Sequence, residues 1–126
     1  MGKPIRVLVA NRPRLMRELI LTTFSDQSDI EIVDQVPDDG DIMASVEKTR
    51  PDFVVIGQEI FGERPGVCDL VLRQYPNIRI IAIVPHHKYS VYYWAAIDIY
   101  SRNVEASEEG ILSVLRAESN PIVGLT

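Results

Sequence analysis

The chain has 126 residues, of which 46% are hydrophobic and 25% charged, the balance of an ordinary globular domain. Such a length sits near the mode for one domain and excludes two ordinary ones. A net charge of −5 and a pI near 5.0 argue against a surface that grips nucleic acid, because that affinity rests on clustered Lys and Arg.

No apolar run approaches the ~20 residues of a transmembrane helix. Met1-Gly2-Lys3-Pro4 lacks the charged-then-apolar layout of a signal peptide, and Arg6 stands where a myristoylation motif wants Ser or Thr. Cys68 is the single cysteine and can make no internal disulfide, which fits a reducing compartment. The expectation is a cytoplasmic protein with no membrane partner.

Short apolar runs alternate with helical patterns along the chain, the order of an α/β fold. Ile5 to Ala10 reads as a strand covered on both faces. Asn11 to Pro13 interrupts it, and Leu15, Met16, Leu19, Ile20 and Phe24 then recur at helical spacing. Ile30 to Val36 is a second strand. Asp38-Asp39 starts a helix whose stripe is Ile42, Met43 and Val46, and Arg50-Pro51-Asp52 stops it.

Phe53 to Ile56 is the third strand, followed by a loop with Gly57, Gly62, Pro65 and Gly66. Val67, Leu70 and Val71 mark the next helix, closed by Tyr75-Pro76-Asn77. Ile78 to Val84 is the fourth strand. Tyr89 to Ala96 reads as a short aromatic helix, Asp98 to Tyr100 as a fifth strand, and Ser107 as the cap of a last helix facing the core with Ile111, Val114 and Leu115. The expected architecture is a flavodoxin-like (βα)5 doubly wound parallel sheet of strand order 2-1-3-4-5, spanning residues 1–118, with an irregular tail at 119–126. Its site would lie at the carboxyl ends of the first and third strands.

At those ends the sequence resembles the response-regulator receiver family, above all receivers that precede a helix-turn-helix transcription module. IRVLVANRPRLMRELI is similar to the family's first strand and helix, and DIEIVDQV with RPDFVVI to its second and third strands. YPNIRIIAIV resembles the fourth strand and SEEGILSVLRA the last helix, so the likeness runs over residues 5–117.

The resemblance implies a chemistry that this sequence lacks. Family members hold Mg²⁺ with two acidic residues after the first strand, phosphorylate an aspartate ending the third, and contact the phosphoryl group through a Ser or Thr and a Lys. Here the acidic pair falls on Asn11 and Arg12, and the acceptor position on Gly57. The hydroxyl position falls on Val84, and the lysine position on Asn103, or on Val104 after a one-residue slip. Gly57 offers no nucleophile, Val84 no hydrogen bond, and Arg12 a fixed positive charge where a metal would sit. The resemblance is therefore to a degenerate receiver.

Arg12 reads either as a solvated loop residue or as a substitute for the cation, paired with Glu59. Asn11 reads as a helix N-cap. His86-His87 point in different directions and lack further ligands, so no metal site is expected. Cys68 reads as semi-buried and structural. Tyr89, Tyr92, Tyr93 and Trp94 would surround most of a helix that can bury only one stripe. That pattern suggests an exposed aromatic interface on the fourth helix–fifth strand–fifth helix face, with Tyr92, Tyr93 or Trp94 partly exposed in the monomer.

No nucleophile–base pair, phosphate loop or metal spacing appears, so no enzyme activity and no cofactor are expected. The resemblance implies a phosphorylation-independent signalling module that binds a protein partner or forms a homodimer, with no direct nucleic-acid contact. Two alternatives stand beside it. One is a small-molecule or anion sensor at the former phospho-site edge, where Arg12 and Arg14 lie near a helix N-terminus. The other is the regulatory half of a transcription regulator, with Gly124-Leu125-Thr126 leading toward a DNA-binding part.

Overall fold

In a computed structural model of the chain, Ile5–Ala10 forms β1, buried along almost its whole length in the middle of a sheet. The structure describes residues 2–10, 14–60, 62–85, 87, 89–96 and 99–119, without the side chains of residues 14–16. Helix α1 (Arg14–Ser25) buries Ile20 and Phe24. Strand β2 (Ile30–Gln35) follows, and then a 3-10 turn at Asp39–Asp41, where the Asp38 carboxylate accepts a hydrogen bond from the Gly40 N–H. That turn leads into α2 (Ile42–Thr49), which buries Ile42 and Val46.

Strand β3 (Phe53–Gly57), helix α3 (Gly66–Gln74) and strand β4 (Arg79–Ile83) complete the parallel part. Two longer strands, β5 (Tyr89–Ala95) and β6 (Ile99–Glu105), precede the last helix α4 (Glu108–Glu118).

The sheet runs β2-β1-β3-β4-β5-β6. β1 pairs in parallel with β2 and β3, and β3 with β4, whereas β4–β5 and β5–β6 are antiparallel. One apolar layer joins α2 and α3 to Leu8, Val54, Ile80 and Tyr93. The other joins α1 and α4 to Val7, Phe53, Ile81 and Tyr92.

The α/β class and the flavodoxin-like order of the first four strands stand as read from the sequence. Three expectations are corrected. Tyr89–Ala95 is a strand where a fourth helix was expected, the sheet is not parallel throughout, and the strand expected at Asp98–Tyr100 is the sixth and runs to Glu105. Aromatic and β-branched residues favour a pleated surface. A strand also removes the difficulty a helix would face. Alternation sends Val91 and Tyr93 to one covered layer and Tyr92 and Trp94 to the other. Tyr92 and Tyr93 are consequently core residues, 2% and 5% exposed, which overturns their expected exposure. Trp94 is half-buried and stacks between Tyr92 and Tyr100, with centroids at 5.1 and 5.6 Å.

Two details fix α4. Arg116 donates to both carboxylate oxygens of Asp29, at 2.7 and 3.0 Å, and to Gln27 Oε1, tying the end of α4 to the α1–β2 connection. At its start the Ser107 hydroxyl oxygen accepts from the Gly110 N–H at 3.0 Å, the N-cap expected from the sequence. Gly110 packs so closely on the end of β6 that a Cβ would collide with the Glu105 carbonyl oxygen. Gly110→Ala is therefore expected to destabilise the fold by about 1–3 kcal/mol, although alanine is ordinarily the better helix former. A urea midpoint at or above the parent's would refute that.

Candidate functional site

The carboxyl ends of β3 and β4 meet where Gly57 pairs with Ile83. The next residue of each strand completes the site, and Gln58 N–H donates to the Ile83 carbonyl at 2.9 Å. The two sequence positions Gly57 and Val84 are thus brought together, with Val84 buried. Glu59 is exposed on the following loop. Asn11 and Arg12 lie outside the described residues, as do His86 and the tail at 120–126, so the Arg12–Glu59 pairing is not described.

Asn103 is not brought to this place. It sits exposed on β6, opposite Val91 of β5. β6 stands three strand spacings from β3, about 14 Å, because an extra antiparallel strand has entered the sheet. Val104, the alternative register, is on the same strand, facing the α4 layer.

Gln58 was not anticipated from sequence. Its side chain is 1% exposed, an unusual burial for an amide. Oε1 accepts from the Tyr93 hydroxyl at 2.7 Å, and Nε2 donates to the Ile60 carbonyl at 3.0 Å. The buried amide therefore satisfies both its ends, and the strand end is pinned to β5. Burial raises the Tyr93 phenol above its ordinary range, with the neighbouring Cys68 adding to the effect. The only sequence signal was a polar residue directly after an apolar strand, which does not separate a buried amide from a loop.

The enclosed space among Asp39, Gly57, Gln58, Glu59 and Pro85 is about 20 Å³, room for about one water. A shallower depression of about 330 Å³ continues along the loop past Ile60, Glu63 and Arg64 to Gly66. Its described charges are mainly acidic, and Arg64 is engaged by Asp69 at 2.7 Å. Among the described residues no group of three or more His, Cys, Asp or Glu side chains could hold a metal ion. Cys68, on the buried face of α3, has its thiol pushed up to about 12 by burial and then by Asp69, which keeps it protonated and unreactive.

The backbone is similar to several solved structures. The signal receiver domain of the response regulator NarL from Mycobacterium tuberculosis superposes with a TM-score of 0.57 at 20% identity, over 68% of this chain and 70% of that one. The fold is that of a receiver domain. The response regulator domain of Thermotoga maritima CheB gives 0.57 at 20% identity, over 65% of this chain and 61% of its own. The isolated receiver domain of RcsB from Salmonella enterica serovar Typhimurium, solved with a phosphomimetic beryllofluoride, gives 0.58 at 13% identity, over 68% and 66%. The chain thus spans under two-thirds of the CheB domain and about two-thirds of the RcsB domain. No protein-family model and no curated protein sequence matches it. Among the described residues no helix is long and apolar enough to cross a membrane.

Proposed function

We propose that residues 1–118 form a receiver-like signalling module that works without phosphorylation, by binding a protein partner or a second copy of itself. The observation that carries this reading is the end of β3. Gly57, which the resemblance to receivers sets at the acceptor position, ends β3 without a side chain, and the Gln58 amide that follows is buried and hydrogen-bonded to Tyr93. A phosphoryl group would find no nucleophile at Gly57.

The binding surface belongs to the β5–β6 end of the sheet, since Tyr89–Ala95 is a strand and not the helix expected to supply it. β6 is an edge strand seven residues long that carries Arg102 and Glu105 but neither Pro nor Lys, and among the described residues no strand pairs with its outer side. Tyr100 is 47% exposed beside half-buried Trp94, and Tyr89 is 42% exposed at the start of β5. Aromatic rings beside an open edge suit an extended segment of a partner or the same edge of a second copy.

The test joins two measurements on the wild-type chain and on Gly57→Asp. Incubation with a small phosphodonor and Mg²⁺ should leave the intact mass of both unchanged, because an added carboxylate still lacks the hydroxyl and lysine partners. Sedimentation, alone and with extract-derived candidate partners, should show an association that Tyr100→Asp weakens at least tenfold. A stoichiometric, acid-labile adduct on the wild-type chain would overturn phosphorylation independence. An association untouched by Tyr100→Asp would move the interface elsewhere.

A further inference from the structure

We propose that the cleft between α1 and α4 is a binding site for a small, uncharged apolar molecule the size of one or two fused rings. It lies on the opposite side of the sheet from the Gln58–Tyr93 pair and goes beyond the signalling reading above. The cleft follows from the topology. α1 rests on β1 and β2 while α4 rests on β6, so the two antiparallel strands carry the last helix away from the first. The Arg116–Asp29 contact draws the C-terminal end of α4 to the connection after α1. The cleft therefore opens toward the carboxyl end of β4.

There it forms a cavity of about 290 Å³. Ile20 and Phe24 of α1, Ile83 and Val84 at the end of β4, and Ile111 of α4 make its apolar walls. Leu19 extends the wall outward and is 61% exposed, an apolar side chain left uncovered at the mouth. An engineered apolar cavity of about 150 Å³ holds benzene, so a space about twice as large suits a fused bicycle.

The polar lining fixes the charge class. The Ser107 hydroxyl is already committed, donating to Glu105 Oε1 at 2.9 Å and accepting from Gly110 N–H. Glu108 places a carboxylate at the rim, which disfavours an anion. Of the described lining residues only His87 and Glu108 can carry a charge, and the apolar walls between them hold no ionisable group, so a charge buried against those walls is strongly disfavoured.

Indole is a suitable probe, followed by amide chemical shifts in the full chain. Indole should produce saturable shifts that cluster at residues 19–24, 83–85 and 106–111, with half-saturation below about 1 mM, near the affinity expected of so small a ligand. Thr23→Trp and Ala106→Trp each plug the mouth from a different element, and each should weaken the response at least tenfold. An indole sulfonate should bind at least tenfold more weakly than indole. Absence of saturation with wild-type protein, or shifts clustered elsewhere, would overturn the site without need of any variant. Undiminished binding in both plugged variants, each folded by its amide spectrum, would do the same. Equal binding of the sulfonate would overturn the uncharged class.

Discussion

Tyr93→Ala is expected to remove about 3–5 kcal/mol of folding stability, the usual cost of deleting a buried aromatic ring. Two effects act together. The ring packs on β5 in the layer with Leu8, Val54 and Ile80, so its loss leaves a void. Its hydroxyl is the donor to Gln58 Oε1, and removing it strands a buried acceptor, which makes up ~1–3 kcal/mol of that loss unless water enters. Domains of this size have only about 5–15 kcal/mol to lose. Tyr93→Ala should therefore be partly unfolded under conditions where the parent is not. Tyr93→Phe separates the two contributions, because it keeps the ring and removes only the donor, and its loss should fall in the ~1–3 kcal/mol range. Urea denaturation of the pair reads both numbers. A parent-like midpoint for Tyr93→Ala would mean that the ring is a surface anchor, as the sequence alone suggested, and that β5 is misplaced.

Alkaline pH should unfold the protein through Tyr92 with the second-largest effect. Burial pushes its phenol up to about 12 from the ordinary 10, with Glu118 adding to the rise while Arg79 and Arg102 oppose it. The folded state thus holds the phenolic proton more tightly than the unfolded chain does. The stabilisation is complete below pH about 10, where both states are protonated, and is lost as pH rises from there toward 12. A shift of that size corresponds to roughly 2–3 kcal/mol, and Tyr93, raised for the same reason, steepens the fall.

Tyr92→Phe should flatten this slope and cost little at neutral pH. Its hydroxyl reaches Glu118 only at 3.5 Å, and Glu118 keeps its ion pair with Arg102 at 3.1 Å. Stability of the two proteins measured by urea at pH 7 and pH 11 decides the matter. A parent and a Tyr92→Phe variant that lose equal stability across that interval would show that the phenol titrates as freely as an exposed one.

Much of the fold was legible in the sequence because local chemistry and tertiary placement agree there. The apolar runs at Ile5–Ala10, Phe53–Ile56 and Ile78–Val84 are β-branched and lie in strands covered on both sides, where continuity is required. Of the helical stripes, Ile20, Phe24, Ile42, Val46 and Val71 point into the layers that their spacing implies, whereas Leu19 and Leu70 are exposed. Ser107 capped α4 as its type and position suggested. That residue 57 brings no side chain to the end of β3 was equally plain, since this is a property of glycine and needs no context.

Tertiary structure alone decided the rest. A run such as Tyr89–Trp94 has no period that separates a buried strand from a short helix, and only the presence of β4 on one side and β6 on the other makes the extended form satisfy its backbone. From that choice came the burial of Tyr92 and Tyr93, the removal of Asn103 to the sheet edge, and the cleft between α1 and α4. Gln58 was hidden for a related reason. An amide can be buried only when both its donor and its acceptor find partners. One of those partners, the Tyr93 hydroxyl, lies 35 residues further along the chain, on the strand that the sequence did not disclose.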